Sequence, residues 1–268
     1  MKKTFLFAAL AALSMVSCTN NELPEAEPGY GYINVNVSND PVVETRAIQT
    51  VDINQWWVKL GEIRLTTARN MVKAGTYTLS AASHETETAW MSDNSNFGSA
   101  YYSAVPQTIV LSAGETEDVS FSCGKAKNAC IKVQFSLAPS FTNYSLTINR
   151  SVGENTHALV FDKTNALATS ETPALAFFEA SPIDAEGNII EASKKVINYT
   201  LTYTHNTKGT NTIEGSIEMG GPATMNVISV SSNDNGTISV TVNYDDTFGT
   251  GNSENLEFDA ATGESTSN

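Results

Sequence analysis

The histidines and a pair of glutamates are the side chains of this chain that could support catalysis or hold a metal ion. His84, His157 and His205 lie in unrelated segments, and none of them has the local signature of a serine or cysteine hydrolase. Glu214 and Glu218 share one face of a predicted strand, whereas the carboxylates of a glycosidase must face each other across a sugar. No metalloprotease, phosphate-loop or dinucleotide motif is present. We therefore expect a protein that is not an enzyme and that uses no cofactor and no metal.

Two of the three cysteines stand close together in the middle of the chain. Cys123 and Cys130 flank the segment Gly-Lys-Ala-Lys-Asn-Ala, between two strand-like runs. A short hairpin loop can bring two cysteine Cα atoms within disulfide distance, and compartments outside the cytoplasm permit the bond. The alternative is two buried thiols on neighbouring strands, and the sequence leaves both alternatives open. A metal site needs more ligands than these two residues provide.

Cys18 has the most specific chemical context in the sequence. Lys2 and Lys3 precede an apolar stretch, 5–13, that is too short to cross a bilayer of about 30 Å and is typical of a secretory signal. Met-Val-Ser at 15–17 resembles a lipobox, with a small residue directly before the cysteine. We therefore predict that the chain is cut before Cys18 and that this residue carries acyl chains such as palmitate, which anchor it stably in a membrane.

The charge balance limits the partners of the chain. The net charge is −14, and removal of Lys2 and Lys3 with the signal makes the remaining chain more acidic. No basic stripe is visible in the sequence, so we expect no nucleic acid partner, and anionic lipid headgroups are equally unfavourable. The membrane partner is then the lipid on Cys18. Acidic residues in the tether after this cysteine resemble surface-export signals, which predicts a lipid-anchored protein of the outer membrane, displayed at the cell surface.

Aromatic residues are the best candidates for ligand contacts. Adjacent tryptophans on a strand face opposite sides, so one of Trp56 and Trp57 is expected in the core and the other partly exposed. The long segment 83–106 carries further aromatics, and such loops often bind ligands. The alternative is packing at the rim of the fold. The candidate ligand contacts are Trp56, Trp57, Trp90, Tyr101 and Tyr102.

Apolar and polar residues alternate with a period of two along most of the chain, and sustained helical periodicity is absent. Ile33, Val35 and Val37 alternate with asparagines, and 131–137 repeats the pattern. Turn residues separate the runs, with hairpin signals at 184–188 and in Asn-Asp-Asn-Gly before Thr237. Roughly thirteen short strands are expected, which predicts an all-β protein.

So many strands exceed the needs of one sandwich, so we predict two tandem β-sandwich domains that join near residues 124–130. The two halves show no clear sequence repeat. The predicted organisation is a signal peptide at 1–17, a lipidated cysteine with a flexible tether at 18–28, an N-terminal β-sandwich at 29–127, a C-terminal β-sandwich at 128–245, and a polar, disordered tail at 246–268 that includes a weak terminal strand at 255–259.

Several segments resemble an uncharacterised family of Bacteroidales lipoproteins, over about residues 29–245. The stretch Ala-Gly-Thr-Tyr at 74–77 is the most specific match. The other matching segments are 31–35, 45–46, 73–81, 97–102, 116–123 and 128–133. That family is similar in architecture to fimbrillin-type proteins, which pair two transthyretin-like β-sandwiches behind a lipidated cysteine and build or anchor pili. The resemblance implies this fold and a cell-adhesion role, and it carries over no functional residues.

The fimbrillin likeness also implies a processing site. In major fimbrillins an arginine-specific protease removes the first strand, and a strand of the next subunit fills the groove by β-augmentation. Arg46 lies just after the first predicted strand and is the candidate cleavage site. The alternative is a surface arginine in a loop.

Two functions remain as hypotheses from the sequence. The first is a non-enzymatic surface lipoprotein that mediates adhesion or assembles with pilin-like protein subunits. The second is a glycan-binding lipoprotein of an outer-membrane carbohydrate uptake system, which would bind surface glycans through the aromatic candidates.

Overall fold

The computed structural model describes residues 27–39, 49–50, 55–166, 174–233, 236–245 and 253–259. Within these ranges the chain is almost entirely β-strand, which confirms the all-β prediction. The predictions for the signal, for Cys18 and for Arg46 lie outside the described residues. No helix in the described ranges is long and apolar enough to span a bilayer.

The first sandwich consists of two four-stranded sheets. One sheet contains β1 (Tyr30–Asn39), β2 (Gln49–Thr50), β5 (Arg69–Lys73) and β8 (Thr116–Ser122). The facing sheet contains β3 (Trp57–Leu60), β4 (Ile63–Leu65), β6 (Gly75–Ala82) and β7 (Gln107–Leu111). The central strand β1 pairs antiparallel with β5 and parallel with β8.

Within the described ranges, the second sandwich has nine strands, one more than the first. Its five-stranded sheet contains β9 (Asn128–Ser136), β12 (Ala176–Glu179), β15 (Met225–Ser232), β16 (Thr237–Asp245) and β17 (Ser253–Asp259). The facing sheet contains β10 (Phe141–Val152), β11 (Asn155–Asp162), β13 (Val196–His205) and β14 (Gly209–Glu218). Here β9 pairs antiparallel with β12 and parallel with β15.

The two sandwiches therefore repeat one topology that the sequence does not reveal. Their four-stranded facing sheets run β4-β3-β6-β7 and β11-β10-β13-β14, and each first strand has equivalent parallel and antiparallel partners. Strands β16 and β17 extend only the second sandwich. Strand order is set by sheet pairing and period-two burial, which different apolar residues satisfy equally well.

Each sandwich has its own hydrophobic core. Ile33, Val35 and Val37 point into the first core from β1, and this cluster continues to Ala126. The second core begins at Ala129. The two cores thus meet in the chain segment just before and at the start of β9, where the joint between sandwiches was predicted.

The C-terminal strand β17 lies in the region predicted as a polar, disordered tail. Its backbone pairs antiparallel with β16 from Thr237 to Asn243. The register sets Leu256 opposite Val240 and Phe258 opposite Ile238. The alternation of these two apolar residues is thus a strand signal, and the terminal strand is longer than the predicted 255–259 because pairing with β16 starts at Ser253.

Candidate functional site

Three of the five aromatic ligand candidates, Trp56, Trp90 and Tyr102, are buried in this structure. Trp56 is 6% exposed and packs against Tyr102, which is 7% exposed, with ring centroids 5.9 Å apart. Trp90 is 2% exposed, and its Nε1–H donates to the Glu87 oxygen at 2.7 Å. These rings serve packing, as the alternative interpretation held, because each lies on the inner side of its segment.

The long segment 83–106 forms the joint between the sandwiches. Trp90 packs with Cys130 and Phe177 of the second sandwich in a small hydrophobic cluster of its own. The half-buried Tyr101 contacts the same cluster, and its backbone N–H donates to Asn128 Oδ1 at 3.0 Å. The length of this segment predicted a binding loop, but its described contacts are those of a domain interface.

Arg150, on β10, closes this joint from the second sandwich. Its Nη1 donates to the backbone oxygens of Phe177 at 2.6 Å and Phe97 at 3.3 Å, and its Nη2 donates to that of Met91 at 2.7 Å. The side chain is 6% exposed, and burial lowers the pKa of Arg150 to about 10, so it remains charged at neutral pH. A buried cation is tolerated here because three carbonyl dipoles accept its hydrogens.

His84, treated above as an isolated residue, belongs to a polar network inside the same segment. Its Nδ1 lies 2.8 Å from Ser83 Oγ, and its Nε2 lies 2.9 Å from both Asp93 Oδ2 and Ser99 Oγ. Ser99 Oγ also donates to Asp93 Oδ2 at 2.5 Å. Local sequence could not show this network because its members are separated by two short 3-10 turns, Ala89–Ser92 and Asn94–Asn96.

The arrangement of this network differs from a hydrolytic triad. A catalytic histidine accepts the serine proton on one ring nitrogen and donates to the carboxylate from the other. Here Asp93 and Ser99 both contact the same ring nitrogen, Nε2 of His84. The Ser99 hydroxyl donates its hydrogen bond to Asp93, so His84 does not activate that hydroxyl. Desolvation acts to raise the pKa of Asp93, but the hydrogen bonds from Ser99 and His84 outweigh it and lower that pKa. The network fixes the segment in place.

No disulfide joins the two cysteines. Cys123 is buried in the first core and Cys130 in the cluster at the joint, so their side chains face different surroundings. Burial raises the pKa of the Cys123 thiol to about 11. The alternative of two buried thiols is therefore the one the structure shows. Among the described residues, no group of three or more histidine, cysteine or acidic side chains is placed to hold a metal ion.

Trp57 is the tryptophan that remains partly exposed. It lies on the outer face of the facing sheet, on the opposite side of β3 from the buried Val58. The guanidinium of Arg64, from the neighbouring β4, lies 3.9 Å from the Trp57 ring centroid, and Lys59 Nζ lies 5.6 Å from it. Such stacking holds a guanidinium in one plane while it stays at the surface.

Arg69 is held in the same way on the other sheet of the first sandwich. Its guanidinium lies 3.9 Å from the Tyr32 ring centroid, and Nη1 donates to Asn34 Oδ1 at 3.4 Å. Asn34 in turn donates to Asp118 Oδ1 at 2.6 Å, which places one carboxylate beyond the amide. Both arginines therefore sit on aromatic rings, one on each sheet.

A cleft of about 470 Å³ lies between these two arginines, where the chain crosses from β4 to β5. We call it the basic cleft. Its described lining includes no aspartate or glutamate. Lining residues are Tyr30, Leu60, Ile63, Arg64, Leu65, Thr67, Arg69, Asn70, Met71, Val72, Lys73 and Tyr77.

The basic cleft does not correspond to a continuous basic stripe in the sequence. Arg64 lies on β4 and Arg69 on β5, so only the crossover between the sheets brings them to one corner. A weaker signal was available in the local charge balance, since 59–73 contains four basic residues and a single acidic one, Glu62, in an acidic chain.

Comparisons with known proteins show similarity only to solved structures. No protein-family model and no curated protein matches the chain. A "putative cell adhesion protein" from Bacteroides ovatus is 12% identical, with 82% of this chain and 96% of that chain covered and a TM-score of 0.41. A fimbrial assembly protein from Parabacteroides distasonis is 8% identical, with 85% and 99% covered and a TM-score of 0.36. Another "putative cell adhesion protein", from Bacteroides fragilis, is 9% identical, with 80% of this chain and 78% of that chain covered and a TM-score of 0.31.

Proposed function

We propose that this chain is a non-enzymatic, lipid-anchored protein of the cell surface that mediates adhesion through its β-sandwiches. The observation that carries the proposal is the basic cleft, a cation-lined cavity on the first sandwich of a chain with a net charge of −14. Its size falls in the range of ligand sites, about 300–1,000 Å³. The net negative charge already favours solubility, and arginines clustered at one corner do not add to it. Ligand binding therefore explains their position better than solubility does.

The two sandwiches suit a display role. Arg150 and the cluster around Trp90 join them, so the first sandwich is supported by the second through a packed interface. A lipid on Cys18 would anchor the chain by a tether of about ten residues, whose reach is at most about 35 Å. The described domains would then stand close to the membrane that carries them.

Retention of whole cells on immobilised mucin tests this function. A strain lacking the chain is complemented with the native sequence or with Cys18→Ala, and surface display is checked by protease treatment of intact cells. We expect the native chain to restore retention. We expect the Cys18→Ala chain to be absent from the surface and to leave retention at the level of the deletion strain. Equal retention of the deletion strain and the complemented strain would contradict an adhesion role.

Assembly with pilin-like subunits is the finer form of this proposal. Cleavage after Arg46 would remove β1, the strand that pairs with β2, β5 and β8. Its loss would leave β5 and β8 with unpaired edges that accept a strand from a neighbour. Comparison of the N-terminus of the surface-exposed chain with that of an Arg46→Ala variant tests the processing step, and identical N-termini would end the idea.

A glycan-uptake role is the second candidate, and it now depends on fewer residues. Burial removes Trp56, Trp90 and Tyr102 from the set of aromatic contacts. Trp57 remains half-buried beside Arg64, and Tyr101 is half-buried against His84, with ring centroids 6.1 Å apart. Growth of a deletion strain on single polysaccharides distinguishes the two roles, because only an uptake protein is required for growth.

A further inference from the structure

We propose that the basic cleft binds an anionic saccharide, with Arg69 and Lys73 at its carboxylate or sulfate groups, an inference that rests on the proposed function and names the class of ligand. Three cations, from Arg64, Arg69 and Lys73, line one small cavity. Opposite charges attract, so an anion that enters the cleft near these residues is favoured. The described ion pairs of the chain are formed by His84, Lys194 and Lys195, so neither Arg69 nor Lys73 is neutralised in that way.

The position of Arg69 suits a planar oxyanion. Stacking on Tyr32 and the hydrogen bond to Asn34 fix the plane of the guanidinium before any ligand arrives. A fixed guanidinium fork pairs with the two oxygens of a carboxylate or sulfate, and it loses little side-chain entropy on binding. Asp118 accepts a hydrogen bond from the Asn34 amide and does not line the cleft, whereas Lys73 does.

The free edge of β5 shows why the ligand is not an added peptide strand. In an antiparallel pair, alternate residues turn their backbone groups toward the partner strand. The Ala68 oxygen accepts from the Val35 N–H of β1 at 2.7 Å, and the Ala74 N–H donates to the Gly29 oxygen just before β1 at 2.8 Å. Arg69, Met71 and Lys73 therefore turn their backbone groups outward.

Side chains of the chain itself already occupy two of these three outward carbonyls. Thr67 Oγ1 donates to the Arg69 oxygen at 2.6 Å, and Tyr77 Oη donates to the Lys73 oxygen at 2.7 Å. A strand that paired with this edge would have to displace both bonds, and capped edges resist pairing. The edge of the cleft is therefore closed to β-augmentation, while its charged side chains stay accessible.

The remaining lining resembles that of sugar-binding surfaces. Tyr30 and Tyr77 are among the lining residues. The Asn70 amide is held by Thr67, whose Oγ1 donates to Asn70 Oδ1 at 3.0 Å and whose backbone oxygen accepts from Asn70 Nδ2 at 2.6 Å, and an amide has further donor and acceptor capacity for a ligand. Ile63 is 60% exposed and Met71 is 44% exposed, so apolar contact with the ring of a sugar is available at the mouth of the cleft. A cavity with both cations and such mixed contacts fits a charged saccharide better than a simple inorganic anion.

Calorimetric titration tests the inference on the chain from residue 18 onward, with Cys18→Ser so that no lipid is attached. The probes are an oligogalacturonate, a sulfated chondroitin oligosaccharide, a neutral maltooligosaccharide and an oligoglutamate peptide. We expect the charged saccharides to bind, more weakly at high ionic strength, and the maltooligosaccharide not to bind. Arg69→Gln should weaken binding about tenfold or more, and Lys73→Gln should weaken it less.

Matched controls separate the cleft from bulk charge. Lys163→Gln makes the same change of net charge at an exposed turn of the second sandwich and should leave binding unchanged. If Arg69→Gln lowers the melting temperature, the exposed Lys73 gives the decisive variant. Equal binding of the oligoglutamate would show that charge alone is recognised and would overturn the saccharide assignment. Undiminished binding in Lys73→Gln and Arg69→Gln would overturn the site, while cell retention on mucin would still decide the adhesive role separately.

Discussion

The two sandwiches share one strand order, and they differ most at the corner where the chain crosses between sheets. In the first sandwich, residues 66–68 make this crossing, and the basic cleft lies open beside them. In the second, the equivalent connection follows β11, and Ala166 at its described start is 1% exposed in the core. The short, polar connection of the first sandwich leaves a cleft beside it. The longer connection of the second sandwich supplies the apolar side chain of Ala166 to the core.

The same contrast holds for the arginines. Arg69 lies at the rim of the cleft on an aromatic ring, whereas Arg150 is buried at the joint with three carbonyls around it. The first arrangement leaves Arg69 half-buried at the surface, and the second commits both terminal nitrogens of Arg150 to backbone oxygens. Position in the fold, and not residue type, therefore separates the two arginines.

Replacement of Arg150 should have the largest effect on stability. Arg150→Met removes a charged donor from the oxygens of Phe177, Met91 and Phe97, of which the last keeps the Phe177 N–H, so we expect a loss of about 2–4 kcal/mol in the free energy of unfolding. Guanidinium denaturation measures it. Lys163→Met, at an exposed turn, should change stability by no more than about 0.5 kcal/mol. A similar small effect for Arg150→Met would show that the joint does not depend on this side chain.

A pair of glycine substitutions compares the two sandwiches at the level of packing. A Cβ at Gly215 on β14 would lie 2.4 Å from the Tyr199 ring, so Gly215→Ala should cost about 1–3 kcal/mol. A Cβ at Gly75 on β6 meets only ordinary contacts, the nearest at 3.4 Å from Tyr77, so Gly75→Ala should be close to neutral. Thermal melts of both variants measure the difference, and equal melting temperatures would mean that Tyr199 shifts without cost.

Acid should loosen the joint segment through Asp93. The pKa of Asp93 is lower in the folded chain than its ordinary value of 3.8, so its contribution to stability is present above that value and is lost as pH falls through the lower, folded pKa. Asp93→Asn should therefore be less stable than the native chain at neutral pH and should approach it in strong acid. Denaturation curves across this pH range measure the gap, and a gap that is independent of pH would contradict the role of the carboxylate.

The smallest expected effect concerns the cysteines. Burial raises the pKa of Cys123 to about 11, so very little thiolate is present at pH 8. We expect Cys123 to react with a soluble thiol reagent only after denaturant is added. The denatured chain should take up the same mass of alkylating reagent with and without prior reduction, because no disulfide joins Cys123 and Cys130. Prompt labelling of Cys123 in the native chain would contradict its burial.

The sequence predicts the fold of this chain better than its sites. Period-two alternation is a local property, so it identifies strands such as β1 and the last hairpin of β15 and β16. At 184–188 the turn signal is present, but it closes a single bridge between Ile183 and Ile189 in place of a strand pair, since no alternating run continues from it. The topological repeat is also invisible, because sheet pairing joins residues far apart in the chain.

The site residues were harder to predict because burial depends on tertiary contacts. The alternation correctly separates Trp56 from Trp57, but nothing local shows that Trp90 turns inward against the second sandwich. Likewise Arg150 shares the buried face of β10 with Leu146 and Ile148, where a charged residue is unexpected, and only its contact with 83–106 shows the reason. The basic cleft depends on a crossover between sheets, which the local pattern does not contain.

Hydrogen–deuterium exchange with and without the oligogalacturonate tests most directly whether the first sandwich carries the ligand site. We expect slower exchange on binding in β4, β5 and the crossover between them, where Arg64, Arg69 and Lys73 lie. We expect no change in β11 and β12, which occupy the equivalent corner of the second sandwich. Protection confined to the second sandwich, or saturable binding that leaves 63–73 unprotected, would contradict a ligand site at the basic cleft.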